Sequence, residues 1–155
     1  MMQRRAKLLI AAMCVALGAT PAVAGPDRFS VLLGSKHIDA SGFNEINPGL
    51  FATWERRRIG YSLGAYLNSY ERGSVVAVTQ FGLFGWENGS LNAFGGLAWY
   101  PKDGHRFRTH IGGDIVGIGG LEVRQGHVFM QVMPTDAGGA TGLVTFGLTW
   151  AVGDL

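Results

Sequence analysis

Disulfides, helices and basic surface are all scarce in this chain, and each scarcity closes off a class of protein. Its one cysteine, Cys14, has no partner for an intrachain disulfide, so no cross-link holds the fold. After residue 24 no stretch keeps an apolar 3.6-residue period for three turns, and 25 glycines weigh against stable helices. The four histidines, His37, His105, His110 and His127, show no metal-ligand spacing, and there is no His-x-x-His pair. No phosphate-cradling glycine loop or nucleotide fingerprint occurs, so neither a metal nor a soluble cofactor is implied.

The N-terminus opens on Arg4, Arg5 and Lys7, continues in an apolar run from Leu8 to Leu17, and reaches Ala22-Val23-Ala24, a small-x-small cleavage signature. The run is shorter than the ~20 residues of a membrane span. Residues 1–24 are therefore expected to be a cleaved secretory signal peptide, leaving residues 25–155 as a single domain. Cys14 goes with the leader, and so do three of the thirteen Lys and Arg residues. Ten basic residues then face eleven acidic ones, a net charge of −1, and no nucleic-acid partner is indicated. An exported chain without disulfides is held by its own packing or by the membrane it enters, which points to the periplasm or outer membrane of a Gram-negative bacterium.

The exported part reads as all-β. Strands are predicted at 29–37, 48–56, 59–68, 74–86, 91–100, 113–123, 127–133 and 142–152. The third is the clearest: Ile59, Tyr61, Leu63, Ala65 and Leu67 alternate with Gly60, Ser62, Gly64, Tyr66 and Asn68. Asn88-Gly89 predicts a type I′ hairpin turn. The connections after odd-numbered strands include the longer ones (39–47, 70–73, 101–110 and 134–141), and those after even-numbered strands are tight. Trp54, Trp86, Trp99, Tyr100 and Trp150 lie near strand ends, where interfacial girdles belong.

These features predict a small antiparallel up-and-down β-barrel of about eight strands, outer-membrane type and monomeric. A soluble periplasmic barrel that binds an apolar ligand has the same alternation with its apolar face turned inward. Gly60, Gly64, Gly96 and Ala98 either leave an apolar slot in the barrel or relieve its curvature. Pro48, Pro101 and Pro134, at the long-loop strand ends, either open lateral gaps for a lipid tail or merely end strands.

The one plausible piece of chemistry is the stretch 66–72, where a strand runs out into Asn68-Ser69-x-x-Arg72, taken with His37. The strand count puts His37 and Asn68-Ser69 on the same rim, separated by one strand. A serine hydroxyl needs a base to take its proton, and histidine is the usual one. Asn68 is the expected holder of the imidazole tautomer or of a developing oxyanion, and Arg72 a phosphate ligand. Asn44 and Tyr66 complete the candidate substrate-binding set.

The order of features over residues 34–75 resembles the lipid A palmitoyltransferase (PagP-like) family of outer-membrane proteins: His37 ending strand one, Asn44-Glu45 and Pro48-Gly49 entering strand two, and Ala65-Tyr66-Leu67-Asn68-Ser69-Tyr70 ending strand three. In that family a rim histidine and an Asp-Ser pair are functional, and by position they fall on His37 and on Asn68-Ser69, with asparagine in the acidic place. The resemblance implies an acyltransferase with a phospholipid acyl donor and a lipid A acceptor in the outer membrane, working without a cofactor. The alternative is a non-enzymatic barrel that stabilises the membrane or presents its loops. Cell fractionation separates the soluble alternative: the membrane readings put the protein in the membrane fraction in heat-modifiable form, and recovery by osmotic shock overturns them.

Overall fold

The computed structural model describes residues 25–154. The predicted signal peptide therefore lies outside the described residues. Nine strands are formed: β1 (Arg28–Ile38), β2 (Ile46–Arg56), β3 (Ile59–Leu67), β4 (Gly73–Trp86), β5 (Gly89–Trp99), β6 (His110–Gly112), β7 (Ile115–Gln125), β8 (Val128–Pro134) and β9 (Gly142–Ala151). Neighbouring strands pair antiparallel, β5 also pairs with β7, and β1 pairs with β9, so all but β6 close into an eight-stranded barrel. The expected strands are present with ends shifted by two residues at most. The three-residue β6, at the junction between the loop expected at 101–110 and the strand expected from 113, is an addition.

Side-chain alternation sorts the residues opposite to the way a soluble barrel does. Leu50, Leu63, Phe81, Leu121, Val132 and Phe146 all point outward, with Leu50 69% exposed. Thr53, Ser62, Gln80, Glu122, Thr145 and Thr149 point inward and are buried. An apolar exterior around a polar lumen is the pattern of a barrel solvated by lipid, and the fold is compatible with an outer-membrane protein. No helix among the described residues is long and apolar enough to cross a membrane, so any crossing is by strands.

One end of the barrel carries three two-residue connections, 57–58, 87–88 and 126–127, and the other carries the long ones. Arg57 (φ 56°) and Asn88 (φ 59°) adopt the left-handed region in these turns. The second turn differs from the expected type I′ pair: Trp86 pairs with Gly89, so the turn residues are Glu87 and Asn88, and only Asn88 has positive φ. Trp86 and Trp99 stand exposed at opposite ends, as a girdle requires. Tyr100 does not join them. Its parity continues the Asn92-Phe94-Ala98 face, and it is buried in the lumen.

The lumen has two layers. Toward the tight-turn end Arg124 donates from Nε to Glu122 (2.6 Å), from Nη1 to Glu55 (2.8 Å) and from Nη2 to Gln80. Arg28 donates to the same Glu55 oxygen (3.1 Å), and Gln131 to Glu122 (2.7 Å). Beyond this layer an open vestibule of about 1160 Å³ faces the tight turns. Toward the long-loop end lies an apolar core of Val76, Val78, Phe94, Ala98, Tyr100, Val116 and Met133, with Phe51 and Tyr66 against it. The cavity between the layers is only about 80 Å³. Phe51 accounts for part of this: its ring lies over Gly64, where an added Cβ would meet it at 2.3 Å. Here the missing side chain makes room for a neighbour's ring rather than for a slot.

The wall has one broken seam. The β7–β8 ladder runs only from Gln125↔Val128 to Leu121↔Val132. Nearer the long loops β7 pairs instead with β6, through His110↔Val116 and Gly112↔Ile115. Arg108 reaches across toward the β8–β9 loop, donating from its backbone N–H to Asp136 Oδ1 (3.2 Å). Pro134 does not itself break the ladder to β9, since it pairs with Gly142.

Arg124 is the residue whose loss costs the lumen most. Arg124→Ala strands Glu122 as an unpaired buried carboxylate, so stability should fall by about 3 kcal/mol or more. The readout is a lower temperature for the heat-modifiable gel shift of the detergent-folded protein, and Arg124→Lys, with no guanidinium fork, should recover only part of it.

Candidate functional site

The long connections converge on one rim. Asn68 builds the turn between β3 and β4: its Oδ1 accepts from the backbone N–H of Tyr70 (2.8 Å) and Arg72 (3.1 Å), and its Nδ2 donates to Ser74 Oγ (2.9 Å). Its own N–H donates to the carbonyl of Arg72 (2.8 Å). The side chain is buried with both ends of its carboxamide occupied, so it holds the turn, and it makes no hydrogen bond to His37 among the described residues.

Asn44 joins the β1–β2 loop to that turn. Its N–H donates to the carbonyl of Ser69 (3.1 Å), and its Oδ1 accepts from Ile46 N–H (3.1 Å). Asn47, buried beneath, donates to the carbonyls of Asn44 (3.3 Å) and Leu67 (3.1 Å), and accepts from Ser35 Oγ. A two-strand gap is thus bridged by a backbone hydrogen bond and a buried amide.

The joined loop carries Phe43 over His37. The two rings stack at 3.9 Å with an interplanar angle of 11°, and Phe43 meets Tyr70 edge-on at 5.8 Å. Gly138, in the 3-10 turn Ala137–Gly139 of the β8–β9 loop, closes the far side: a Cβ there would lie 2.5 Å from Phe43 Cζ, and its φ of 62° also requires glycine. Tyr70 meets Phe107 (6.3 Å), which packs on Tyr100 (4.7 Å) and through it reaches Tyr66 (6.3 Å). A continuous run of rings therefore caps the lumen.

Two buried polar atoms under this cap have no hydrogen-bond partner among the described residues, His37 Nδ1 and the Tyr70 hydroxyl. Leaving such a group unpaired costs about 1–3 kcal/mol, so each of the two has bonding capacity that a water or a ligand would satisfy. Burial pushes the Tyr70 hydroxyl above the ordinary phenol range, with Arg106 opposing, so it stays protonated at neutral pH and is a donor.

Arg72 turns toward Asp103 in the β5–β6 connection, and Arg106 donates from Nε to the same carboxylate (2.9 Å). The Arg106 guanidinium also lies 5.1 Å over the Tyr70 ring.

The structure thus gathers His37, Asn44, Ser69 and Arg72 at one rim, while Tyr66 lies below it in the apolar core. No hydrogen bond joins His37 to Ser69. Sequence reasoning missed Phe43, Asp103 and Arg106. Phe43 carried a signal, as the lone aromatic of a polar loop, whereas the Arg72–Asp103 pair spans 31 positions with no local pattern. Among the described residues no group of three His, Cys, Asp or Glu side chains is placed to hold a metal ion. Comparison with models of known protein families and with curated proteins finds no match to this chain.

Asn68→Ala deletes the Oδ1 acceptor that takes both turn N–H groups and should destabilise the barrel by about 1–3 kcal/mol. Asn68→Asp keeps an acceptor oxygen for both N–H groups and lets Ser74 rotate to donate to the other, so its heat-modification temperature should stay near wild type. Equal losses in the two variants would show that the turn does not depend on these bonds.

Proposed function

We propose that the chain is an outer-membrane acyltransferase, exported by its signal peptide, that moves a fatty acyl chain from a phospholipid to lipid A at the long-loop rim. The observation that carries this reading is the buried His37 with an unpartnered Nδ1, packed through Phe43 against the turn that bears Ser69. It agrees with the resemblance over residues 34–75.

In the proposed reaction Phe43 swings off the imidazole and Ser69 turns toward it. His37 takes the Ser69 hydroxyl proton as Oγ attacks the ester carbonyl of the phospholipid. The ester C–O bond breaks, and the lysophospholipid leaves with the proton from the imidazolium. A lipid A hydroxyl then attacks the acyl-serine, its proton passing through His37 to the released Ser69 oxygen. The unpaired β7–β8 seam above Leu121 and Val132 supports entry of an acyl chain from the side.

A second reading, a non-enzymatic barrel that stabilises the membrane or presents its loops, is favoured by one observation. The inner cavity of about 80 Å³ falls well short of the roughly 300 Å³ of a small-molecule pocket. The acyltransferase reading requires the chain to lie in the seam or the Phe43 cap to open.

Mass spectrometry of lipid A from cells with and without the protein separates the readings. The expected result is a mass gain of one acyl chain, abolished in His37→Ala and in Ser69→Ala while both variants remain folded in the membrane. Unaltered lipid A with a folded protein leaves the non-enzymatic reading, and a gain that survives the double variant removes the Ser69–His37 chemistry.

A further inference from the structure

We propose that Arg72 and Arg106, set side by side by Asp103, form a binding fork for a phosphomonoester at the long-loop rim. Asp103 is buried, its side chain 2% exposed, and each of its oxygens takes one guanidinium: Oδ2 from Arg72 Nη1 and Oδ1 from Arg106 Nε. Two cations share one anion, so the cluster keeps one uncompensated positive charge.

No second carboxylate forms an ion pair with Arg72 or Arg106 among the described residues: Asp136 pairs with Arg108 (3.6 Å), Asp114 accepts from the backbone N–H of Lys102 (2.7 Å), and Glu71 is exposed to solvent, where its charge is screened. Both arginine side chains are partly open to solvent, at 43% and 53% exposure. Both are also pre-positioned, Arg72 by the buried carboxylate and Arg106 by the carboxylate and the face of Tyr70. Each retains N–H donors that Asp103 does not use, in the planar arrangement that matches phosphate oxygens.

The chemistry selects among anions. A phosphomonoester has three terminal oxygens and a charge of about −1.5 to −2, enough acceptors for two guanidinium groups at once. A phosphodiester or a carboxylate offers two free oxygens and a single negative charge, so it is held less strongly by two cations than the monoester is. Arg72 lies in the turn that carries Ser69, so a phosphorylated glycolipid gripped here has its hydroxyls near the proposed acyl-transfer centre. That placement rests on the acyltransferase reading, whereas the fork does not.

The test uses the full folded protein in detergent micelles or nanodiscs. Binding is titrated with phosphorylated lipid A, dephosphorylated lipid A, a phosphodiester phospholipid and inorganic phosphate, alongside the lipid A mass assay in cells. Wild type should bind the phosphorylated form about tenfold more tightly than the dephosphorylated one, and Arg106→Gln should remove that preference while leaving binding of the dephosphorylated lipid unchanged. Arg106→Lys should restore it only in part. Competition by millimolar inorganic phosphate supports the fork and shows that it reads the phosphate group alone; no competition, with the lipid preference kept, supports a fork that also needs the sugar. Arg106 lies outside the barrel ladder, so its variants keep the test open if Arg72→Gln fails to fold. Equal affinity for the two lipid A forms, or a preference untouched by Arg106→Gln, overturns the proposal. A phosphate preference without any acyl gain in cells leaves the fork standing and removes the acyltransferase reading; the reverse pattern removes the fork alone.

Discussion

Closure of the sheet is the constraint from which the rest follows. In hydrocarbon an unpaired strand edge leaves N–H and C=O groups with nothing to bond, so a barrel solvated by lipid has to join its first strand to its last. Here the β1–β9 ladder does so over almost the full length of β1, from Arg28↔Ala151 to Ile38↔Gly142. Eight strands leave little room inside, and the apolar side chains are needed outside, so the lumen has to be filled with groups that satisfy one another. Arg124, with its three different acceptors, is the centre of that solution at one end, and stacked rings are the solution at the other.

The same constraint supports a site at the long-loop rim. The ladder is complete along most of the wall and the lumen beneath is packed, whereas this rim brings half-exposed polar side chains beside the two unpartnered buried atoms, His37 Nδ1 and the Tyr70 hydroxyl. The place where closure is least complete, β7 beside β8, lies at this same end. The seam is patched by β6 and by Arg108 reaching to Asp136, two short devices in place of a continuous ladder. Rim, seam and orphaned His37 Nδ1 thus occupy one region, and the proposed reaction draws on all three.

Much of this was legible in the sequence because it is local. Period-two alternation marks strands wherever one face meets lipid and the other the lumen, and Ile59–Leu67 shows it without interruption. Loop lengths told the two ends apart for the same reason. What escaped was set by contacts distant in sequence. β6 has three residues and no pattern, and it exists because β7 needs a partner that β8 does not supply. Asn68 reads equally as a catalytic amide or a turn amide, and only its three bonds place it in the turn. Tyr100 was assigned to a girdle by its chemical type, although its parity with Asn92, Phe94 and Ala98 already put it inside.

The ion-paired layer also divides the interior of the barrel. The open vestibule and the small inner cavity share Gln80 and Arg124 as common lining, so the layer is the partition between them. Arg28 and Arg124 face Glu55 and Glu122 across it, matched in number and bonded to each other. An ion entering the vestibule meets a neutral, fully bonded partition with no free charge to replace its hydration shell. The layer therefore opposes the passage of an ion along the barrel axis, because entering it means giving up hydration without gaining a free counter-charge.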